Sequence, residues 1–460
     1  MARLPSPFPP TGFASLTRAL TAVRDCFLWP RGELPETGVG EIRYWVDFTC
    51  ELDRNPGVQR VTRSLAHGLQ ELGQRTTYLA WSEADQGPGA CTRKQLRNLS
   101  RWHGPSYPFL RPRPRPMTQD ARSEKAGWLL VPELTYWRIR GGRIEPWDSD
   151  PIAMLRRYAR AQGLRTAFLL HDLIPLRMPD YPQLTALHER YIRALAQADL
   201  ILPVSTYAGS DLTSYFRETL GLSEGAEPSI VPHPLPPEFL GYPRATAYDA
   251  PPSGPIKILC VSHIEPRKNQ IKLIEAFNAF CAEHPAADAR LSLVGAINDD
   301  LLDQVTAFAG RNPRIELAGQ VPDADLVHRY RGCHFTAFPS IAEGYGLPIV
   351  ESLWLGRPCL CADFGPMAEI AAAGGCLAVD TRSTAALKSG LERLILNPAL
   401  RQELGQRTPP PDAHLARLRR GLAGDPSATG ERARTDAQRM LIRNQTSPTT
   451  RPHMALVFMD

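Results

Sequence analysis

PSIAEGYGLPIVESLWLGRPCLCADFGPMAEI, residues 339–370, reads as a glycine turn, a helix and a strand in immediate succession. The apolar run HFTAFPS (334–340) leads into it as a strand, so Glu343 stands in a turn at a strand's carboxyl end. Pro348 fits the first turn of a helix, where its missing N–H costs nothing. Glu351 then falls inside that helix. Eight residues of helix would separate the two glutamates by roughly 12 Å. Between them, the backbone N–H groups from Gly344 to Leu347 open a helix N-terminus, which favours phosphate. Glycines at 344 and 346 allow a ligand close to the backbone. Two glutamates at this spacing are common on surface helices; strand, Gly-x-Gly turn, proline and second glutamate in series are not.

Working outward, VSHIEPRKNQ (261–270) ends another strand and opens a helix carrying Arg267 and Lys268, with Glu265 as a local partner for the arginine. Two cations at a strand's carboxyl end suit negative charge developing on a departing diphosphate. Charge-assisted bonds of this kind contribute about 1.5–3 kcal/mol each. Further strands read at IKILCVS, RLSLVG, RIELAGQV and PCLCAD, alternating with helical patterns at 270–284 and 299–310. The N-terminal half repeats the alternation. EIRYWVDFTC (41–50) reads as its first strand and VQRVTRSLAHGLQELG (58–73) as a helix, with later strands at WLLVPEL, TAFLLHD and DLILPVS.

Such alternation predicts an α/β fold of two Rossmann-like doubly wound domains facing across a cleft, with ligands at the strands' carboxyl ends. The expected organisation is an N-terminal extension over 1–40, a first domain over 41–245, a Pro-rich linker at 246–255, a second domain over 256–406 and an atypical, disordered tail over 407–460. The basic stretch RPRPRP (111–116) reads as a surface loop or disordered insert. Trp128, Trp137 and Trp147 read as packing residues.

The net charge of +5 over 460 residues is mild. It fits an anionic substrate or weak attraction to an anionic membrane, and falls short of what nucleic-acid binding needs. No run approaches the ~20 apolar residues of a membrane span, and prolines interrupt the N-terminus where a signal peptide needs an apolar core. Nine cysteines, an odd number, fit a reducing compartment, so the cytoplasm is the expected location. No P-loop lysine motif and no Gly-x-Gly-x-x-Gly fingerprint follows a first strand, which disfavours a kinase and a dehydrogenase. No Asp-x-Asp element stands at a strand end, and no metal site is expected.

EGYGLPIVE (343–351) resembles the two-glutamate motif of the retaining glycosyltransferases of family 4, and EPRKNQ (265–270) resembles that family's cationic donor-phosphate motif. HDLIP (171–175), LPVSTYAGSDL (202–212) and IVPHP (230–234) match further family landmarks in order, so the likeness covers roughly residues 42–406. It implies the GT-B fold and transfer of a sugar from a nucleotide-diphosphate donor with retention of configuration. By position, Glu351 would hold the donor ribose and Glu343 would contact the donor sugar. Arg267 and Lys268 would bind the diphosphate, with the backbone of Gly344, Tyr345, Gly346 and Leu347 capping it. His171 would lie beside the reacting sugar, and Gly57, within NPGVQR (55–60), would let the N-terminal loop approach. His263, where many members carry arginine, and Pro56-Gly57, where a Gly-Gly pair is usual, depart from the pattern. Glu369 reads as a helix cap or a donor contact.

HDLIP and EPRKN most resemble bacterial mannosyltransferases of surface polysaccharide assembly, such as that of lipopolysaccharide. That implies GDP-mannose as the first donor to consider, a UDP-sugar as the next, a glycan or lipid-linked oligosaccharide acceptor, no further cofactor, and peripheral contact with the inner face of the membrane. A phosphorylase or synthase on the same fold, and a catalytically silent nucleotide-sugar-binding or scaffold protein, stay open as alternatives.

Overall fold

Apolar runs in both halves become short parallel strands. The computed structural model describes residues 41–71, 74–106, 127–178, 181–235, 239–245, 247–249 and 254–407. The expected N-terminal extension (1–40), the RPRPRP segment, part of the expected linker and the tail from residue 408 lie outside the described residues. In chain order the strands are β1 (Ile42–Trp45), β2 (Thr76–Ser82), β3 (Gly87–Ala90), β4 (Trp128–Val131), β5 (Trp137–Arg140), β6 (Arg143–Pro146), β7 (Arg165–Leu170), β8 (Leu200–Pro203) and β9 (Ser229–Ile230) in the first half. The second half holds β10 (Ile256–Val261), β11 (Ala289–Val294), β12 (Ile315–Gly319), β13 (Phe335–Phe338), β14 (Cys359–Ala362) and β15 (Cys376–Val379).

Among the described residues, the first sheet has the order β3-β2-β1-β4-β7-β8-β9 and the second the order β12-β11-β10-β13-β14-β15. Every neighbouring pair is parallel except β2 with β3, an antiparallel edge. Strands β4, β8, β13 and β14 are buried along their whole length, as expected where helices cover both faces. One core gathers around Trp45, Leu129, Phe168, Leu170 and Ile192 of the first sheet and its helices. Another gathers around Ile258, Phe277, Phe280, Leu293 and Phe335 of the second.

In each sheet the strand order reverses once beside its first strand: between β1 and β4, and between β10 and β13. These switch points are where open α/β sheets leave a crevice for ligands.

Two local expectations change. The segment 41–50 is not one strand, because β1 ends at Trp45 and Asp47–Glu51 turns into a short helix. Glu133, just past β4, supplies the reason. Its carboxylate accepts from the backbone N–H of Phe48 and of Thr49, both at 2.9 Å, satisfying donors that a helix start leaves unpaired. Arg267 and Lys268 likewise do not open the long helix. They occupy a 3₁₀ turn, Pro266–Lys268, and the helix Gln270–Glu283 begins after Asn269, which sits at φ 60° in the left-handed region. The Asn269 amide bonds the carbonyls of Pro339 (3.3 Å) and Thr381 (2.7 Å), which holds that turn against the neighbouring strand ends.

Candidate functional site

The loops after β10 and β13 meet at the second sheet's switch point. Chain connectivity alone therefore brings Arg267 and Lys268, from the first loop, to Glu343, from the second. Arg267 Nη1 donates to Glu343 Oε2 at 3.0 Å, and Lys268 Nζ donates to Glu343 Oε1. The loops are tied by backbone as well: Ile341 N–H bonds the Arg267 carbonyl at 2.8 Å, and Ser340 Oγ donates to the same oxygen at 3.1 Å. Glu265 pairs with Arg267 Nη2 at 2.8 Å. Burial pushes the Glu343 carboxyl up, but the charges of Lys268 and Arg267 outweigh it and hold the group below the usual carboxylate range. Burial opposes the charge on Arg267, yet Glu343 and Glu265 raise its pKa above the ordinary guanidinium value. Two cations, Arg267 and Lys268, thus converge on Glu343, and Glu265 adds a second carboxylate at the other edge of the guanidinium.

Glu343 is followed by the turn that starts the helix Leu347–Trp354, with Gly346 at φ 124° as its first flanking residue. That φ lies in the region only glycine adopts readily. The first half closes directly onto this turn. A Cβ on Gly344 would stand 1.9 Å from the carbonyl oxygen of His171, so no side chain fits there. Ser205 Oγ donates to the Gly344 carbonyl at 2.7 Å, and the Tyr345 hydroxyl donates to the Leu235 carbonyl at 2.9 Å. A Cβ on Gly57 would lie 3.6 Å from Leu347 Cδ1, an ordinary contact distance. His171, at the carboxyl end of β7, is 8% exposed, and its Nε2 lies 2.8 Å from the Pro132 carbonyl oxygen. Burial lowers its pKa, so the ring is neutral at physiological pH.

Glu351 stands apart from the cation pair. It is 3% exposed, and its two oxygens have separate partners: Tyr330 donates to Oε2 at 2.9 Å, and Arg60 of the first half donates to Oε1. Arg60 also lies over the Phe239 ring, 5.5 Å from its centroid. The two expected glutamates thus stand on either side of the Gly344–Leu347 turn: Glu343 with the expected Arg267 and Lys268, and Glu351 with Arg60 and Tyr330.

Sequence reasoning passed over Tyr330 and Tyr181. Tyr330 lies in the helix Asp323–Gly332, a segment with no motif to single it out. Tyr181, from the first half, accepts from Arg267 Nε at 3.0 Å. Glu369 caps a helix, but one belonging to the other half: its carboxylate accepts from the backbone N–H groups of Thr206, at 3.1 Å, and Tyr207. No helix among the described residues is long and apolar enough to cross a membrane.

The family model for glycosyl transferases group 1 matches residues 247–409, the stretch holding both carboxylates and both cations. An O-antigen chain mannosyltransferase B from Escherichia coli is 27% identical over 60% of this chain and 70% of its own. A serotype-specific mannosyltransferase WbdA from Escherichia coli is 26% identical over 71% of this chain, which spans only 39% of that longer protein. Among solved structures, a sucrose-phosphate synthase from Thermosynechococcus elongatus is similar at a TM-score of 0.54 and 14% identity, over 88% of this chain and 100% of its own. That likeness is one of fold. Over residues 247–409 the chain is similar to the glycosyl transferases group 1 family, and its two parallel sheets have the GT-B fold.

Proposed function

We propose that this chain transfers a hexosyl residue from a nucleotide-diphosphate sugar, GDP-mannose before a UDP-sugar, to a hydroxyl of a glycan or lipid-linked acceptor. The observation that carries the reading is the meeting of Arg267 and Lys268 on Glu343 at the switch point of the second sheet. As the bond from the anomeric carbon to the donor oxygen breaks, negative charge grows on the diphosphate and positive charge on the sugar ring. Arg267, Lys268 and the backbone N–H groups from Gly344 to Leu347 take up the first charge, as prearranged donors in a site that excludes water. Glu343 faces the donor sugar while it holds both cations in place. Glu351 takes the ribose, and neutral His171 lines the cleft beside the reacting sugar. Gly57 lets the first half close over the donor.

The choice of mannose is supported by the mannosyltransferase names of the two Escherichia coli relatives. The second domain is proposed to bind the donor and the first to bind the acceptor, in a cytoplasmic protein in peripheral contact with the membrane. No metal takes part in the proposed reaction.

Thermal melting with GDP, UDP, ADP and their sugars tests the donor. A ligand at a hundred times its dissociation constant stabilises the native state by about 2.7 kcal/mol, so a GDP-dependent rise in melting temperature is expected. The rise should be lost in Glu351→Ala. If no nucleoside diphosphate shifts the melting curve, the donor site is misassigned.

A further inference from the structure

We propose that Tyr181 is a positioning residue that couples closure of the two domains to the aim of Arg267. This rests on the reading of Arg267 as a ligand of the donor diphosphate. Tyr181 belongs to the first domain, immediately before the helix Pro182–Leu195. Its backbone is fixed there, because its carbonyl accepts from the N–H of Leu184 at 2.9 Å and the N–H of Thr185 at 3.2 Å. Its side chain reaches the second domain, where the hydroxyl accepts from Arg267 Nε at 3.0 Å and donates to Glu265 Oε2 at 3.1 Å.

The remaining hydrogen bonds of the guanidinium complete the picture. Nη1 bonds the Ala342 carbonyl at 2.9 Å and Glu343 at 3.0 Å, and Nη2 bonds Glu265 at 2.8 Å. All of those partners lie in the second domain. Among the described residues, Tyr181 gives the hydrogen bond by which the first domain holds the guanidinium plane. A planar group with donors in fixed directions is oriented by the acceptor on each edge. With the domains apart, the Nε edge loses its partner and Arg267 can swing with Glu265. With the domains together, the hydroxyl of Tyr181 closes the triangle Tyr181–Arg267–Glu265 and sets the plane. Burial pushes the Tyr181 hydroxyl up to about 12, so it keeps the proton it donates to Glu265. The arrangement ties full phosphate-binding strength to the closed cleft, in which water cannot compete for the donor.

The test compares affinities for GDP and for guanosine, which lacks the phosphates, by calorimetry on the full chain. Tyr181→Phe removes one oxygen and keeps the ring. It should weaken GDP binding about tenfold, the effect of roughly one hydrogen bond to a charged group, and leave guanosine binding unchanged. In an Arg267→Ala background the same substitution should have no further effect. Equal weakening for GDP and guanosine would mean a merely structural role and would overturn the proposal. So would an unchanged GDP affinity in Tyr181→Phe while Arg267→Ala loses it, and in that case the phosphate role of Arg267 would stand. If wild type binds UDP and not GDP, the same comparison is made with UDP and uridine. If Arg267→Ala leaves nucleoside diphosphate binding intact, or if wild type binds neither GDP nor UDP, the underlying reading fails and the proposal with it. Glu265→Gln gives a second route should Tyr181→Phe not fold. It should weaken GDP binding severalfold with guanosine unaffected, and a unit ratio for both ligands would again overturn the proposal.

Discussion

The two switch points obey one topological rule and carry opposite chemistry. Beside β10 and β13, the chain places two cations around one glutamate, and the carboxyl stays ionised because those cations outweigh its burial. Beside β1 and β4, it places two buried acids, Asp47 and Glu133, bonded mainly to backbone N–H groups. Burial pushes Glu133 up to about 8 and Asp47 to about 6. Glu133 is 1% exposed, and the helix Asp47–Glu51 follows β1 directly, with Asp47, Thr49 and Cys50 buried. A crevice at a strand reversal is therefore an opportunity, not a site. On the function proposed here, charge decides which of the two crevices would receive a diphosphate.

That contrast can be broken most sharply at Lys268. Lys268→Ala should lower turnover by about 10²–10³, the usual effect of removing one preorganised stabilising group. Steady-state kinetics with the donor found by melting would measure it, and an unchanged rate would remove the second switch point from the chemistry. The matching change at the first, Glu133→Ala, should act on stability instead. It strands the N–H groups of Phe48 and Thr49, which costs about 1–3 kcal/mol in denaturant unfolding. Nucleotide affinity of the folded protein should stay as in wild type. Lost affinity at full folding would erase the distinction between the two crevices.

The smallest expected effect is a pH slope, of opposite sign at the two places. Glu133 has its folded pKa raised from 4.5 to about 8. Between those values the folded state holds a proton that the unfolded chain has released, so this group's contribution is complete below 4.5 and is lost as pH rises through about 8. Glu343 has its folded pKa lowered from 4.5, so its contribution is present above that value and is lost as pH falls beneath it. Denaturation midpoints across this range should show Glu133→Gln flattening the decline between pH 4.5 and about 8, and Glu343→Gln flattening the fall below pH 4.5. A profile unaltered by either change would mean that neither carboxyl titrates differently on folding.

Much of this was legible in sequence, and the reason differs by element. Strands β4, β8, β13 and β14 announce themselves as short apolar runs, because both their faces are buried. Strands β2, β3 and β15 and the hairpin β5–β6 carry weaker patterns. GPGA, the whole of β3, has no apolar alternation at all and is held as an edge by antiparallel pairing with β2. Glu343, Arg267 and Lys268 could be singled out because each follows a strand directly, and the strand places it. The 3₁₀ turn that carries the cations was not legible, since it depends on Asn269 reaching two carbonyls on neighbouring strand ends.

By itself the sequence determined the alternating α/β pattern, the two halves and the acidic and basic residues at the lip of the second sheet, because each follows from chemistry within a few residues along the chain. Only the tertiary structure decided that Arg60 pairs with Glu351 across 291 positions and that Tyr181 meets Arg267 across 86. Those pairings arise when two separately built sheets close on one another. Side chains that meet across such a junction leave no periodic trace in either segment.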